Sequence, residues 1–285
     1  MITNLIELTK LRIAFLVLTT TVIGFYLGQQ GIQSPELLLY TLLGTLLCSA
    51  GSSVLNNVIE VETDAKMNRT KDRVLPTKKI SLFTASFLGT LFIGFGLAIL
   101  FEKVNTLTSI LAFCTVVSYL ALYTPLKKVS WINTSVGAIP GALPPLGGWT
   151  AATGSLDPGG WILFFILFFW QHPHFYSIAF IHKEDYARAG LKMLPVVKSG
   201  KMTALHIFIH ALILIPISAL PFFFTIEGAG SIYLVGSYLL SNIYMLCCLP
   251  FILEQNEKNA KLIFKTSLYY FILLFFIIVA DVQFQ

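Results

Sequence analysis

An all-α integral membrane protein is the fold class this sequence predicts, on three observations. Of its 285 residues, 56% are hydrophobic and only 12% are charged, about half the charged fraction of a soluble domain; the mean hydropathy is +0.78. The apolar residues gather into runs long enough to cross a bilayer, which takes about 20 residues per helix. The Lys and Arg residues fall between those runs in a pattern that supports one particular number of spans. No internal repeat, low-complexity segment or soluble domain interrupts the series, so residues 1–285 read as a single transmembrane domain.

Nine spans follow in order, near residues 13–28, 37–55, 82–100, 107–123, 131–149, 161–181, 203–224, 231–253 and 262–280. The first is expected to be a span rather than a cleaved leader, because its apolar run continues to Gly28 with no small-residue cleavage site after it. Several others begin or end in Trp, Tyr or Phe, as helices do at bilayer interfaces. The fifth is the most irregular, with Pro140, Pro144, Pro145 and glycines from Gly137 to Gly148. Such a helix is expected to break, which membrane depth tolerates only where the freed backbone groups are buried in protein or line a cavity.

Nine spans place eighteen of the 19 Lys and Arg on one face, with only Lys103 on the other. That face is cytoplasmic, which puts the N-terminus inside and the C-terminus outside. The formal charge of +5 therefore records topology and does not point to nucleic acid. Cys48, Cys114, Cys247 and Cys248 sit in apolar runs without CxxC spacing and read as small core residues.

The polar stretches collect on the same face, and the richest is NNVIEVETDAKMNRTKDRVLP at residues 56–76. Asn56, Glu60 and Asp64 recur every four residues, so on a helix they face one way over roughly 12 Å. A row of oxygen ligands beside Arg69 and Arg73 suits a magnesium diphosphate, the oxygens holding the metal and the cations the phosphate. The alternative is a solvated mixed-charge loop at the membrane edge. The loop after the sixth span offers Glu184 and Asp185 for a second metal contact, with Arg188 and Lys192 beside them. Lys127 and Lys128 lie in the loop between these two.

Just before that second loop, FFWQHPHFYSIAF carries His172 and His174 at membrane depth, where an ionisable group is a candidate for function. Histidine there can move a proton or bind haem iron, or simply be satisfied by a backbone carbonyl. His206 and His210 have i, i+4 spacing without an evident third ligand and read as interfacial. His182 has no assigned role. Some of the 24 Phe and 11 Tyr are expected to line a chamber where an allylic cation is stabilised over aromatic faces.

The chain resembles the UbiA superfamily of intramembrane prenyltransferases, and within it the haem O synthase branch, over nearly its whole length. The resemblance rests on residues 56–76, on YTPLKKVSWINTSVGAIPGALPPLGGW at 123–149, and on WQHPHFYSIAF with EDYARAGLKMLPVV between 170 and 197. It implies nine helices around a central cavity open to the cytoplasmic face. It also implies Mg²⁺-dependent transfer of farnesyl from farnesyl diphosphate to a vinyl group of haem B, with water added, giving haem O. The family's first acidic motif falls on Asn56, Asn57, Glu60 and Asp64, with Asn57 and Glu60 where aspartate is usual. The second falls on His182 and Tyr186, with the acids shifted to Glu184 and Asp185. The branch's basic pair falls on Arg69 and Arg73, and its histidine, expected to contact haem, on His174. Expected partners are the lipid bilayer, the two substrates, and haem A synthase as a candidate. The expected location is a bacterial inner membrane. Two other readings remain: the same chemistry on an aromatic quinone precursor, or a transporter, for which the broken fifth span is the one favourable feature.

Overall fold

In the computed structural model, which describes residues 2–224 and 229–283, every regular element is a helix. A short helix α1 (Ile2–Thr9) turns at Lys10, which adopts the left-handed conformation (φ 49°), into α2 (Leu11–Gln29). Then come α3 (Pro35–Ile59), opened by a proline at its first turn, and the single turn α4 (Val61–Asp64). An irregular stretch leads to α5 (Leu82–Lys103), capped by Ser81, and α6 (Thr106–Val117), capped by Asn105. α6 continues through a π-helical segment, Ser118–Tyr123, into α7 (Thr124–Leu126). The rest is α8 (Asn133–Thr153), α9 (Pro158–Ile181), the short α10 (Lys183–Arg188) and α11 (Leu194–Val197), then α12 (Gly200–Phe223), α13 (Ser231–Leu253) and α14 (Glu257–Gln283).

Eight of these segments are long and apolar enough to cross a membrane, counting 106–126 as one, so the chain is a multi-pass membrane protein. α8, at 21 residues, is not among the eight, because its glycines, prolines and hydroxyl residues lower its hydropathy. It nevertheless runs the length of the bundle. Asn133 Nδ2 donates to the Lys192 carbonyl (3.1 Å) at one end, and Gln29 Nε2 donates to the Ala152 carbonyl (3.5 Å) at the other.

The expected break in the fifth span does not occur: α8 is continuous through Pro140, Pro144 and Pro145. Packing is the reason. A Cβ on Gly24 would lie 1.9 Å from the Pro145 carbonyl oxygen, and one on Gly148 would lie 2.0 Å from that of Thr21. Backbone contact this close clamps α8 against α2 at Pro145 and just beyond it, and holds the helical path that a lone proline-rich helix would leave. The feature favouring a transporter is thereby removed.

The charged loops converge at one end of the bundle. Lys10 reaches α3, Lys127 reaches Glu60, Lys192 N donates to the Lys127 carbonyl (2.6 Å), and Asp185 binds the 68–69 backbone. The hydrophobic core is largest among α8, α9, α12, α13 and α14. The opposite side, between α2, α3, α6 and α8, is hollow.

Candidate active site

A cavity of about 510 Å³ occupies this hollow, with a polar mouth and a mostly apolar interior. Asn56, Glu60 and Asp64 all line it. α3 ends at Ile59 and Glu60 departs from helical geometry (φ −95°, ψ 6°). The i→i−4 bonds Glu60 N to Asn56 O (2.9 Å) and Asp64 N to Glu60 O (2.8 Å) nevertheless persist. They carry the register across the break and keep the three oxygen donors in one row.

Each of these donors faces a cation. Arg73 Nη1 is 2.9 Å from Asp64 Oδ2, and Lys127 Nζ is 2.8 Å from Glu60 Oε1. Lys10 Nζ donates to Asn56 Oδ1 at 3.0 Å. Asn56 is oriented by its other end, Nδ2 donating to Thr124 Oγ1 (3.1 Å), whose hydroxyl in turn donates to the Tyr119 carbonyl (2.8 Å). The π segment thus delivers Thr124 to Asn56 and places the stacked rings of Tyr119 and Tyr123 on the cavity wall. Lys127 also lies 4.4 Å from the Tyr123 ring centroid.

Burial among these charges moves their proton affinities. Burial, with Arg73 and Lys127 beside it, lowers the Lys10 ammonium to about 8, against opposing pulls from Glu60 and Asp64. Burial also penalises the Lys127 cation, but Tyr123 and Glu60 outweigh it and raise Lys127 above its ordinary value. Glu60 is pushed up by burial and pulled further down by Lys127 and Lys10, so its carboxyl ends below the usual range.

Of the other expected residues, Arg69 and Arg73 line the cavity. Lys128, Lys192 and Arg188 are exposed and outside it. Lys192 contributes backbone only, and Arg188 pairs with Asp185 at 2.6 Å. Glu184 is exposed and also outside the cavity. Asp185 accepts from Asn68 N (3.2 Å) and Arg69 N (3.3 Å), so it anchors the loop that carries Arg69 and does not face the cavity. The surface that α9 and α10 turn inward ends in Tyr186, not in an acid. Asn57 also points away, its Nδ2 donating to the Leu8 carbonyl (3.1 Å) and tying down α1.

The structure places both histidines of this stretch off the cavity wall. α9 turns Gln171, Phe175 and Ile178 toward the cavity. His174 is buried against α14 instead, its Nδ1 2.7 Å from Ser267 Oγ and its ring stacked on Trp170. His172 faces α12, bonded to the Phe168 carbonyl and Ser135 Oγ and stacked on His210 at 4.0 Å. Helix rotation decides this, since neighbouring residues differ by about 100° around the axis.

Lys10, Tyr119, Tyr123, Thr124 and Gln171 were not singled out by sequence reasoning. Gln171 left a signal as an amide at membrane depth, but the flanking histidines drew the attention. Its Nε2 donates to the Ala138 carbonyl (3.2 Å), and its Oε1 occupies the space a Cβ on Gly141 would need. Lys10 read as a topological marker only.

The donor set suits a hard divalent cation: two carboxylates and an amide oxygen in a row, with room beside them for phosphate oxygens. Among the described residues no group of three His, Cys, Asp or Glu stands ready as a complete metal cage.

Residues 17–277 match the UbiA prenyltransferase family. Proteins named protoheme IX farnesyltransferase are similar over nearly their whole length. The one from Solibacter usitatus is 41% identical, covering 97% of both chains, and that from Aquifex aeolicus is 38% identical over 92% of this chain and 89% of its own. Among solved structures, a digeranylgeranylglyceryl phosphate synthase superposes with a TM-score of 0.85, covering 100% of this chain and 99% of its own at 17% identity. A UbiA homolog from Archaeoglobus fulgidus bound to DMAPP and Mg²⁺ gives 0.71, with 94% and 98% covered, also at 17% identity.

Proposed function

The chain belongs to the UbiA prenyltransferase family, and from that premise we propose that it transfers farnesyl from farnesyl diphosphate to a vinyl group of haem B, with addition of water. The products are haem O and diphosphate. The observation that carries this reading is the row Asn56, Glu60, Asp64 facing Lys10, Arg73 and Lys127 at the mouth of an apolar cavity. The names of the near full-length relatives supply the acceptor.

Asn56, Glu60 and Asp64 would hold Mg²⁺, which when bound supplies positive charge to the diphosphate as the allylic C–O bond opens. Arg73 and Lys127 would then exchange carboxylate for phosphate oxygens, and with Lys10 and Arg69 neutralise the leaving group. The Tyr119 and Tyr123 rings present π faces to the allylic cation. The apolar wall below keeps water from it. The haem vinyl attacks the farnesyl carbon; one water then captures the resulting cation and releases a proton.

The protein spans a bacterial inner membrane nine times, with α8 as the fifth crossing, the N-terminus cytoplasmic and the C-terminus outside. The asymmetry of Lys and Arg supports this orientation. Haem A synthase is the expected consumer of the product. The test is the mass of the haem recovered after incubating purified protein with haem B, farnesyl diphosphate and Mg²⁺. A gain of one farnesyl plus one water is expected; unmodified haem alone would overturn the reading.

A further inference from the structure

The cavity has a floor as well as a mouth. From Asn56 its α3 wall runs inward through Cys48 to Thr45, a drop of about 16 Å at 1.5 Å per helical residue. There Leu100 of α5 closes in beside Gly44, and Thr108 of α6 lines the cavity beyond it; both are buried. The wall behind Thr108 is tied shut. Its hydroxyl shares a hydrogen bond with Thr150 Oγ1 (3.0 Å), and Asn105 Nδ2 donates to the Thr150 carbonyl (2.9 Å). Leu100 has no room to retreat toward α3, since a Cβ on Gly44 would lie 2.6 Å from its Cγ.

A staggered carbon chain advances about 1.25 Å per bond, so the roughly twelve bonds of a farnesyl tail reach about 15 Å and a fourth isoprene unit adds about 5 Å. The first length fits between the mouth and the floor, and the second does not. We propose that Leu100 and Thr108 set the length of the prenyl donor, admitting three isoprene units below the diphosphate and excluding a fourth. This rests on the cavity being a prenyl-diphosphate site and adds the residues that measure the tail.

The test compares affinities for geranyl, farnesyl and geranylgeranyl diphosphate, each with Mg²⁺ and without haem, on the purified full chain by titration calorimetry. Wild-type protein is expected to bind farnesyl diphosphate at least about tenfold more tightly than geranylgeranyl diphosphate, because an isoprene unit with nowhere to go forfeits its burial. Leu100→Ala shifts that ratio about tenfold toward the longer donor, and Leu100→Phe shifts preference toward geranyl diphosphate. Each ratio is taken on one preparation, so an unfolded fraction cancels. Thr108→Ala carries the same expectation as Leu100→Ala should the latter not fold. A wild-type ratio near one, or ratios that the substitutions leave unchanged, overturns the floor. Failure of haem farnesylation leaves this readout intact, whereas no Mg²⁺-dependent binding of any of the three donors overturns the donor-site reading and the floor with it.

Discussion

Residues 56–76 and 182–195 look alike in sequence, and the fold treats them differently. Both follow an apolar span, both carry adjacent acids and bases, and both lie at the same end of the bundle. In the first, Glu60 and Asp64 face the cavity and meet the cations Lys127 and Arg73. In the second, Asp185 faces the backbone of the first loop and an exposed Arg188, while Glu184 is exposed outside the cavity. Residue type alone does not make a metal-diphosphate site. Burial, direction and the partners already waiting there do. The second stretch acts on the first as a brace that positions Arg69.

The largest expected effect is at Asp64. Asp64→Asn removes a charged donor whose carboxylate already holds Arg73, and turnover should fall about a thousandfold, measured as haem O formed per minute. Near-normal turnover would erase the distinction between the two stretches.

Lys127→Met comes next. It leaves the Glu60 carboxylate, only 14% exposed, without its nearest cation. A broken buried pair costs about 3–5 kcal/mol, an upper figure for a group at the cavity mouth. A clear fall in melting temperature in detergent should accompany a loss of activity of about a hundredfold. Adding Glu60→Gln should restore the melting temperature and not the activity. Recovery of both would mean that the pair is structural only.

Asp185→Asn should act through the loop. It weakens the two hydrogen bonds from the Asn68 and Arg69 backbone that hold the loop, so KM for the diphosphate should rise roughly tenfold with kcat changed far less. A kcat loss matching that of Asp64→Asn would restore Asp185 as a metal ligand. The smallest effect is expected at Glu184→Gln, within about twofold of wild type in the same assay.

Much of this was legible in the chain. Span positions followed from apolar runs, and most ends moved by only a few residues. Ser231–Leu253 came out as expected. The row Asn56, Glu60, Asp64 was legible from its spacing, because the local hydrogen bonds that enforce it survive the end of α3. What spacing did not place has one cause. His174 and His172 sit among residues that reach the cavity, yet Gln171 faces it and they do not. One position is a turn of about 100°, and rotation is set by what packs on each side: Ser267 and Trp170 for His174, Ser135 and His210 for His172. Lys10 was missed because a lysine before a first span is most simply a topological anchor. Only its left-handed turn aims it back at Asn56.

By itself the sequence determined the membrane class, the order of the helices, the charged end of the bundle and the row Asn56, Glu60, Asp64. These depend on hydropathy, charge and short-range periodicity, which are local. Tertiary structure decided which polar groups meet. Glycine contacts hold the proline-bearing α8 straight against α2, the π segment carries Thr124 to Asn56, and the paired threonines close the floor behind Thr108. Each of these depends on the rotation and spacing of helices far apart in the chain, and long-range packing alone fixes both.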